Sequence, residues 1–151
     1  MNRNSQKIVR YIAMLTFSFT IALNFAFANY AFKKKIKSVC SSYRVSVNAS
    51  AMDFDSDLFS LTLESNRNNF EMVMLVGFAS AGQAIAHQKE MNLSNAYIPL
   101  IISLNVAVPA SRDEFNTFSA SCSSEMAISL ADGRMDSSEF MQKIMKNIKI
   151  Q

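Results

Sequence analysis

Acidic side chains at alternate positions invite a calcium reading. Asp53, Asp55, Asp57 and Glu64 occupy the first, third, fifth and twelfth places of an EF-hand loop, where calcium finds several oxygens and a closing bidentate Glu. The sixth place holds Leu58 instead of the Gly that the sharp turn needs, and the tail of the loop overlaps a strand pattern. A solvated acidic turn is the expectation. A second stretch, residues 132–140, matches only the back half of such a loop, because Ile128 and Leu130 stand where the first and third ligands belong. A helix ending at Gly133 and another capped by Asp136 account for the same letters. No metal and no cofactor is expected.

The nucleophile inventory is thin. His87 is the only histidine, and Cys40 and Cys122 are the only cysteines. A thiol enzyme, or a serine hydrolase, would need Cys122 or a serine to converge with His87 and a third orienting group. Cys122 falls on an apolar stripe, which packing explains. Neither cysteine has the spacing of a C-x-x-C or zinc motif, so a Cys40–Cys122 disulfide and two buried thiols are the alternatives left open. With three glycines in the chain and no Gly-rich loop there is no phosphate cradle. The expectation leans away from catalysis, with the Cys122 or Ser plus His87 enzyme as the alternative.

The remaining charged cluster is Lys33, Lys34, Lys35 and Lys37, and it follows an uncharged run over residues 11–32, preceded in turn by Arg3, Lys7 and Arg10. A helix rises about 1.5 Å per residue, so the run reaches about 33 Å, enough to cross a bilayer core. The lysines would then contact the membrane surface. Ala26-Phe27-Ala28 also fits a signal-peptide cleavage site. Against cleavage, the run continues to Phe32 and lysines follow directly. The flanking charges lean weakly towards a cytoplasmic domain, whereas the signal-like features lean outward. The expectation is a single-pass anchor with the domain on the extracytoplasmic side, and a cleaved, secreted form as the alternative.

Dividing the net charge of +3 sharpens this picture. Residues 1–37 carry seven basic and no acidic side chains, so the high pI belongs to them. Residues 38–151 carry eight basic against twelve acidic side chains, for a net −4. Their Lys and Arg are scattered singly, and a polyanion-binding face would concentrate them. Nucleic acid is not an expected partner. The domains expected are 1–37, the signal-anchor segment, and 38–151, one folded unit.

Elements must place these residues. Tyr43, Val45 and Val47 alternate with polar neighbours, as do Phe59, Leu61 and Leu63, so strands are expected over 43–48 and 59–64 with a turn between them. Asn68 with Glu71 could cap a helix running to Lys89, whose Gly77 and Gly82 would let another element approach closely. Ile98, Leu100, Ile102, Leu104, Val106 and Val108 predict a strand over 98–108. Ser111 with Glu114 predicts a helix carrying Phe115, Phe118, Cys122, Met126 and Leu130 on one stripe, and Phe140, Ile144 and Ile148 line a last helix. The link at 132–140 resembles the short Asp-Gly links of helical bacterial domains such as the tellurite-resistance TerB group, which implies a helix–link–helix and no function.

The fold class expected is α+β: an N-terminal transmembrane or signal helix, then a small sheet in the order β-β-α-β-α-α packed against helices. A rival takes the uncharged stretches 72–88 and 91–111 as two further spans, a shape resembling small pore-formers such as phage holins. The function expected is non-catalytic. A membrane-tethered or exported domain would act through a protein partner or its own copies, as an envelope assembly subunit or adaptor, with residues 11–32 in lipid.

Overall fold

The computed structural model describes residues 29–151 except Arg67, Leu93, Ser94, Arg112 and Asp113. Most of the apolar run, with Ala26-Phe27-Ala28, lies outside the described residues. The domain is α+β, with a five-stranded mixed sheet in the order β1-β2-β3-β4-β5. In chain order the elements are α1 (residues 29–42), β1 (Met52–Phe54), β2 (Leu58–Glu64), α2 (Phe70–Glu90), β3 (Ile101–Pro109), β4 (Phe115–Ser123), α3 (Ser124–Ala131), α4 (Ser137–Met145) and β5 (Lys149–Ile150). No helix among the described residues is long and apolar enough to cross a membrane.

β2 and β3 form the sheet's one parallel pair, from Leu58↔Ile101 to Glu64↔Ala107. Parallel neighbours need a crossover, and α2 supplies it. Phe59, Leu61, Leu63, Ile102, Leu104 and Val106 are all but fully buried beneath the helices. Burying each such side chain contributes about 1.5–3 kcal/mol. Both glycines of α2 are close-approach points. A Cβ on Gly77 would meet the Leu104 and Leu63 side chains, so α2 lies directly on the parallel pair. A Cβ on Gly82 would overlap the backbone carbonyl of Ala127, so α3 lies directly on α2.

Several elements depart from the sequence expectation. The strand expected over 43–48 is absent: Tyr43, Arg44 and Val45 instead close the end of α1. Tyr43 N and Val45 N donate to Cys40 O at 3.0 and 2.9 Å, with Arg44 at φ 60°. That is a helix C-cap, in which the left-handed residue turns the next apolar side chain back to the core. β1 forms from Met52–Phe54, inside the expected turn, and Asp55 N bonds Leu58 O at 3.0 Å to close the hairpin. The capping box at Asn68 is not formed either. Asn69 precedes α2, and its side chain makes no capping bond.

The helix expected from Ser111 is a strand. Ser111 Oγ does bond Glu114 Oε2 at 3.0 Å, but across the β3–β4 hairpin, where Ala110 N also donates to Glu114 O at 2.8 Å. Phe118, Ala120 and Cys122 satisfy period two as well as a helical stripe, and pairing with β3 from Pro109↔Phe115 to Ile101↔Ser123 decides between them. The helical part of that stripe starts only at Ser124. Strand β3 itself begins at Ile101, later than expected, because Pro99 is buried and its carbonyl accepts from Ser124 Oγ. The expected order therefore gains a fourth and a fifth strand, with β5 formed by two residues at the chain's end.

Gly133 and Asp136 behave as expected. Gly133 has φ 77° after the end of α3, and the Asp136 carboxylate accepts from Ser138 N at 2.8 Å to cap α4. Phe140 of α4 then packs edge-on against Phe78 of α2 at 5.3 Å between ring centres. α1 contributes Phe32, Ile36 and Cys40 to the same core. Residues 33–42, which hold the lysines expected to contact the membrane surface, form a helix packed on the core.

Phe32 sits fully buried among Phe54, Phe59 and Tyr97, with ring centres 5.7, 5.0 and 5.2 Å away. The Tyr97 hydroxyl lies within bonding reach of two carbonyls, Asp55 O at 2.7 Å and Leu58 O at 3.1 Å, tying the β3 approach to the β1–β2 link.

Two outcomes follow. Gly82→Ala forces a methyl into the α3 backbone and should lower unfolding stability by about 1–3 kcal/mol, measurable by urea denaturation. Burial first, then the charges of Asp55, Asp53 and Asp57, push the Tyr97 phenol up to about 12. The fold thus keeps a proton that the unfolded chain loses near pH 10, so this contribution is whole below pH 10 and fades as pH rises towards 12. Tyr97→Phe should cost about 1 kcal/mol at pH 8 and lose less stability than the parent between pH 10 and 12.

Candidate functional site

Helices cover one face of the sheet and leave the other bare. Alternation puts every second residue of β2, β3 and β4 on the bare face, and the register aligns them in rows. Ser60, Ser103 and Ser121 form one row, ending in Asp53 on β1. Thr62, Asn105 and Ser119 form the next, ending in Lys149 on β5. Glu64, Ala107 and Thr117 follow, with Gln151 hydrogen-bonded to Thr117 in both directions. From these rows Thr62, Ser103, Asn105, Thr117, Ser119 and Ser121 line a shallow hollow of about 530 Å³.

The face is polar between its two ends, where Leu58 and Ile101 at one end and Phe115 at the other are exposed. Its centre holds hydroxyls and one amide, with charge only towards the edges at Asp53, Glu64 and Lys149. Ser119 Oγ donates to Asn105 Oδ1 at 2.7 Å, and both residues line the hollow. Such a surface can exchange many neutral hydrogen bonds. Among the described residues no group of three metal-ligating side chains comes together. Asp53, Asp55 and Asp57 lie around the β1–β2 hairpin. Asp55 Oδ1 there accepts from Ser56 N at 2.7 Å, an ordinary turn contact.

The structure places His87 and Cys122 of the enzyme alternative on different elements. His87 is in the last turn of α2, in a cleft lined by Lys35, Gln83, Glu90 and Asp132 among others. Neither Cys122 nor a serine is among the described residues lining that cleft. Cys122 is on β4, opposite Ile102 in the ladder, and burial pushes its thiol up to about 12. A protonated buried thiol is not a nucleophile. Cys40 is buried in α1, raised by the same desolvation and partly offset by a hydrogen bond with Ser80. Both cysteines are free thiols. The lysines Lys33, Lys34, Lys35 and Lys37 lie on α1, with Lys33 Nζ 5.0 Å from the centre of the Phe54 ring.

Half of the bare face was legible from sequence, since Ser60, Thr62, Ser103 and Asn105 are the polar partners of clear alternations. Thr117, Ser119 and Ser121 were hidden by the helical reading of that stretch. The chain matches no family model, no curated protein and no solved structure.

The thiols offer a direct check. In the folded protein at pH 8, Cys40 and Cys122 should react with iodoacetamide far more slowly than in urea, where both titrate near the ordinary thiol value. Mass spectrometry of timed quenches reads the difference.

Proposed function

We propose that the chain is a non-catalytic binding domain, held at or exported through a membrane, that presents the bare face of its sheet to another protein. The observation that carries this reading is the bare face itself. Parallel strands are ordinarily covered on both sides, yet β2 and β3 are covered on one side only. The exposed centre also lacks charge, as do the buried centres of protein interfaces. A role in an envelope assembly or as an adaptor accords with a domain that has this binding area.

The membrane part of the reading rests on the sequence of residues 11–28 together with the position of Phe32. A side chain buried among Phe54, Phe59 and Tyr97 is unavailable to lipid. The uncharged run is thereby shared: its end belongs to the domain core, and 18 residues before Asn29 remain for the bilayer. At about 1.5 Å per residue that is about 27 Å, at the short end of what a span requires. Release after Ala28 would leave α1, with Phe32 and Ile36, whole. Either form delivers the same folded domain.

A photo-crosslinking residue at Asn105 of the full chain, activated in membranes, should give one discrete protein adduct. Ser103→Arg with Asn105→Arg should abolish complex formation while circular dichroism and the melting transition stay as in the parent. An adduct containing two copies of this chain would identify the partner as itself. Adducts from Met72, outside the face, with none from Asn105 would overturn the reading.

A further inference from the structure

One end of the domain gathers apolar side chains that the core does not use. Leu58 and Ile101 are opposite each other in the parallel ladder and exposed, at the end where β2 and β3 both begin. Leu100 and Ile98 precede them in the same approach, and Leu100 is 65 % exposed. Leu100 N and Ile101 N both donate to Asp57 O at 2.9 Å, so the patch is held on a fixed backbone rather than on a free loop. Exposed apolar side chains gathered at one end of a domain mark contact with a partner or a membrane.

The same end receives the chain from its apolar stretch. Phe32 packs on Phe54, Phe59 and Tyr97, and Tyr97 in turn bonds the carbonyl of Leu58, so the first turns of α1 sit beside the patch. Tyr30 on the first turn is 65 % exposed. Residues 11–28, all uncharged, come immediately before Asn29 in the chain, so in the membrane-held reading the bilayer lies on this side of the domain. Charge does not oppose the contact: Lys33, Lys34 and Lys35 on α1 match Asp53, Asp55 and Asp57 in number.

We propose that the end of the domain formed by Tyr30, Leu58, Ile98, Leu100 and Ile101 rests on the bilayer surface, fixing the bare sheet face edge-on to the membrane. The inference rests on the membrane-held reading above and adds to it an orientation and a contact surface. Binding is apolar in origin, so neutral phosphatidylcholine suffices and anionic lipid is not required.

The chain contains no Trp, so one introduced Trp reports alone. Leu100→Trp and Ile98→Trp would each be made in the full chain and reconstituted into phosphatidylcholine vesicles. Phe115→Trp serves as reference, because Phe115 is 57 % exposed at the opposite end of the sheet. The expected result is a blue-shifted emission for Leu100→Trp and Ile98→Trp, quenched several-fold more by acyl-brominated lipid than that of Phe115→Trp. If the chain floats with vesicles but all three variants are quenched alike, the contact surface is overturned while the anchor stands. A chain that fails to float overturns the membrane-held reading and this inference with it. Emission that is blue-shifted without lipid and unaffected by bromine points to a second copy on the patch, and overturns the bilayer contact.

Discussion

The parallel pairing of β2 with β3 is the constraint on which the rest of the domain depends. Two parallel strands cannot be joined by a tight turn, so the chain must leave the sheet, cross one face and return. α2 makes that crossing, and Gly77 lets it lie against Leu104 and Leu63. Once α2 is on that face, α3 follows onto Gly82 and α4 onto Phe78. All the helical mass accumulates on one side, and the opposite side is left to the polar halves of the strands.

α1 closes the layer and settles the status of the lysine-rich segment. Its charged residues would suit a linker at the headgroup level, yet Phe32, Ile36 and Cys40 recur at helical spacing and are buried. A helix with a buried stripe belongs to the core, and its lysines are the solvated remainder of that helix. The core thus draws on residues before position 38. The consequence reaches the apolar run, because the same Phe32 cannot serve both an aromatic cluster and a lipid span.

Sequence reasoning succeeded where one period was unambiguous. Phe59, Leu61 and Leu63, and the alternation from Ile102 to Val108, are strands because β-branched and large apolar residues recur with period two and nothing else fits. α4 was equally plain, since Asp136 caps it and Phe140 and Ile144 follow at helical spacing. Failure came where two periods shared the same letters. Residues 115–123 satisfy a helical stripe and an alternation at once, and the Ser111–Glu114 pair forms its hydrogen bond in a hairpin as readily as in a helix cap. Val45 and Val47 alternate as a strand would, but the end of α1 takes the Val45 N–H, which donates to Cys40 O.

The letters alone determined the apolar run before the domain, the α+β class and the two central strands, because each rests on local composition or spacing. Only the tertiary structure decided which run of residues pairs with the outer edge of β3, where the first strand starts, and that Phe32 belongs to the domain. These outcomes depend on contacts between residues far apart in the chain, where an unpaired strand edge or an unburied ring outweighs a local preference of well under 1 kcal/mol per residue. The bare polar face is the product of both. Its residues were written in the alternation, and its exposure was decided by the side on which α2 crosses.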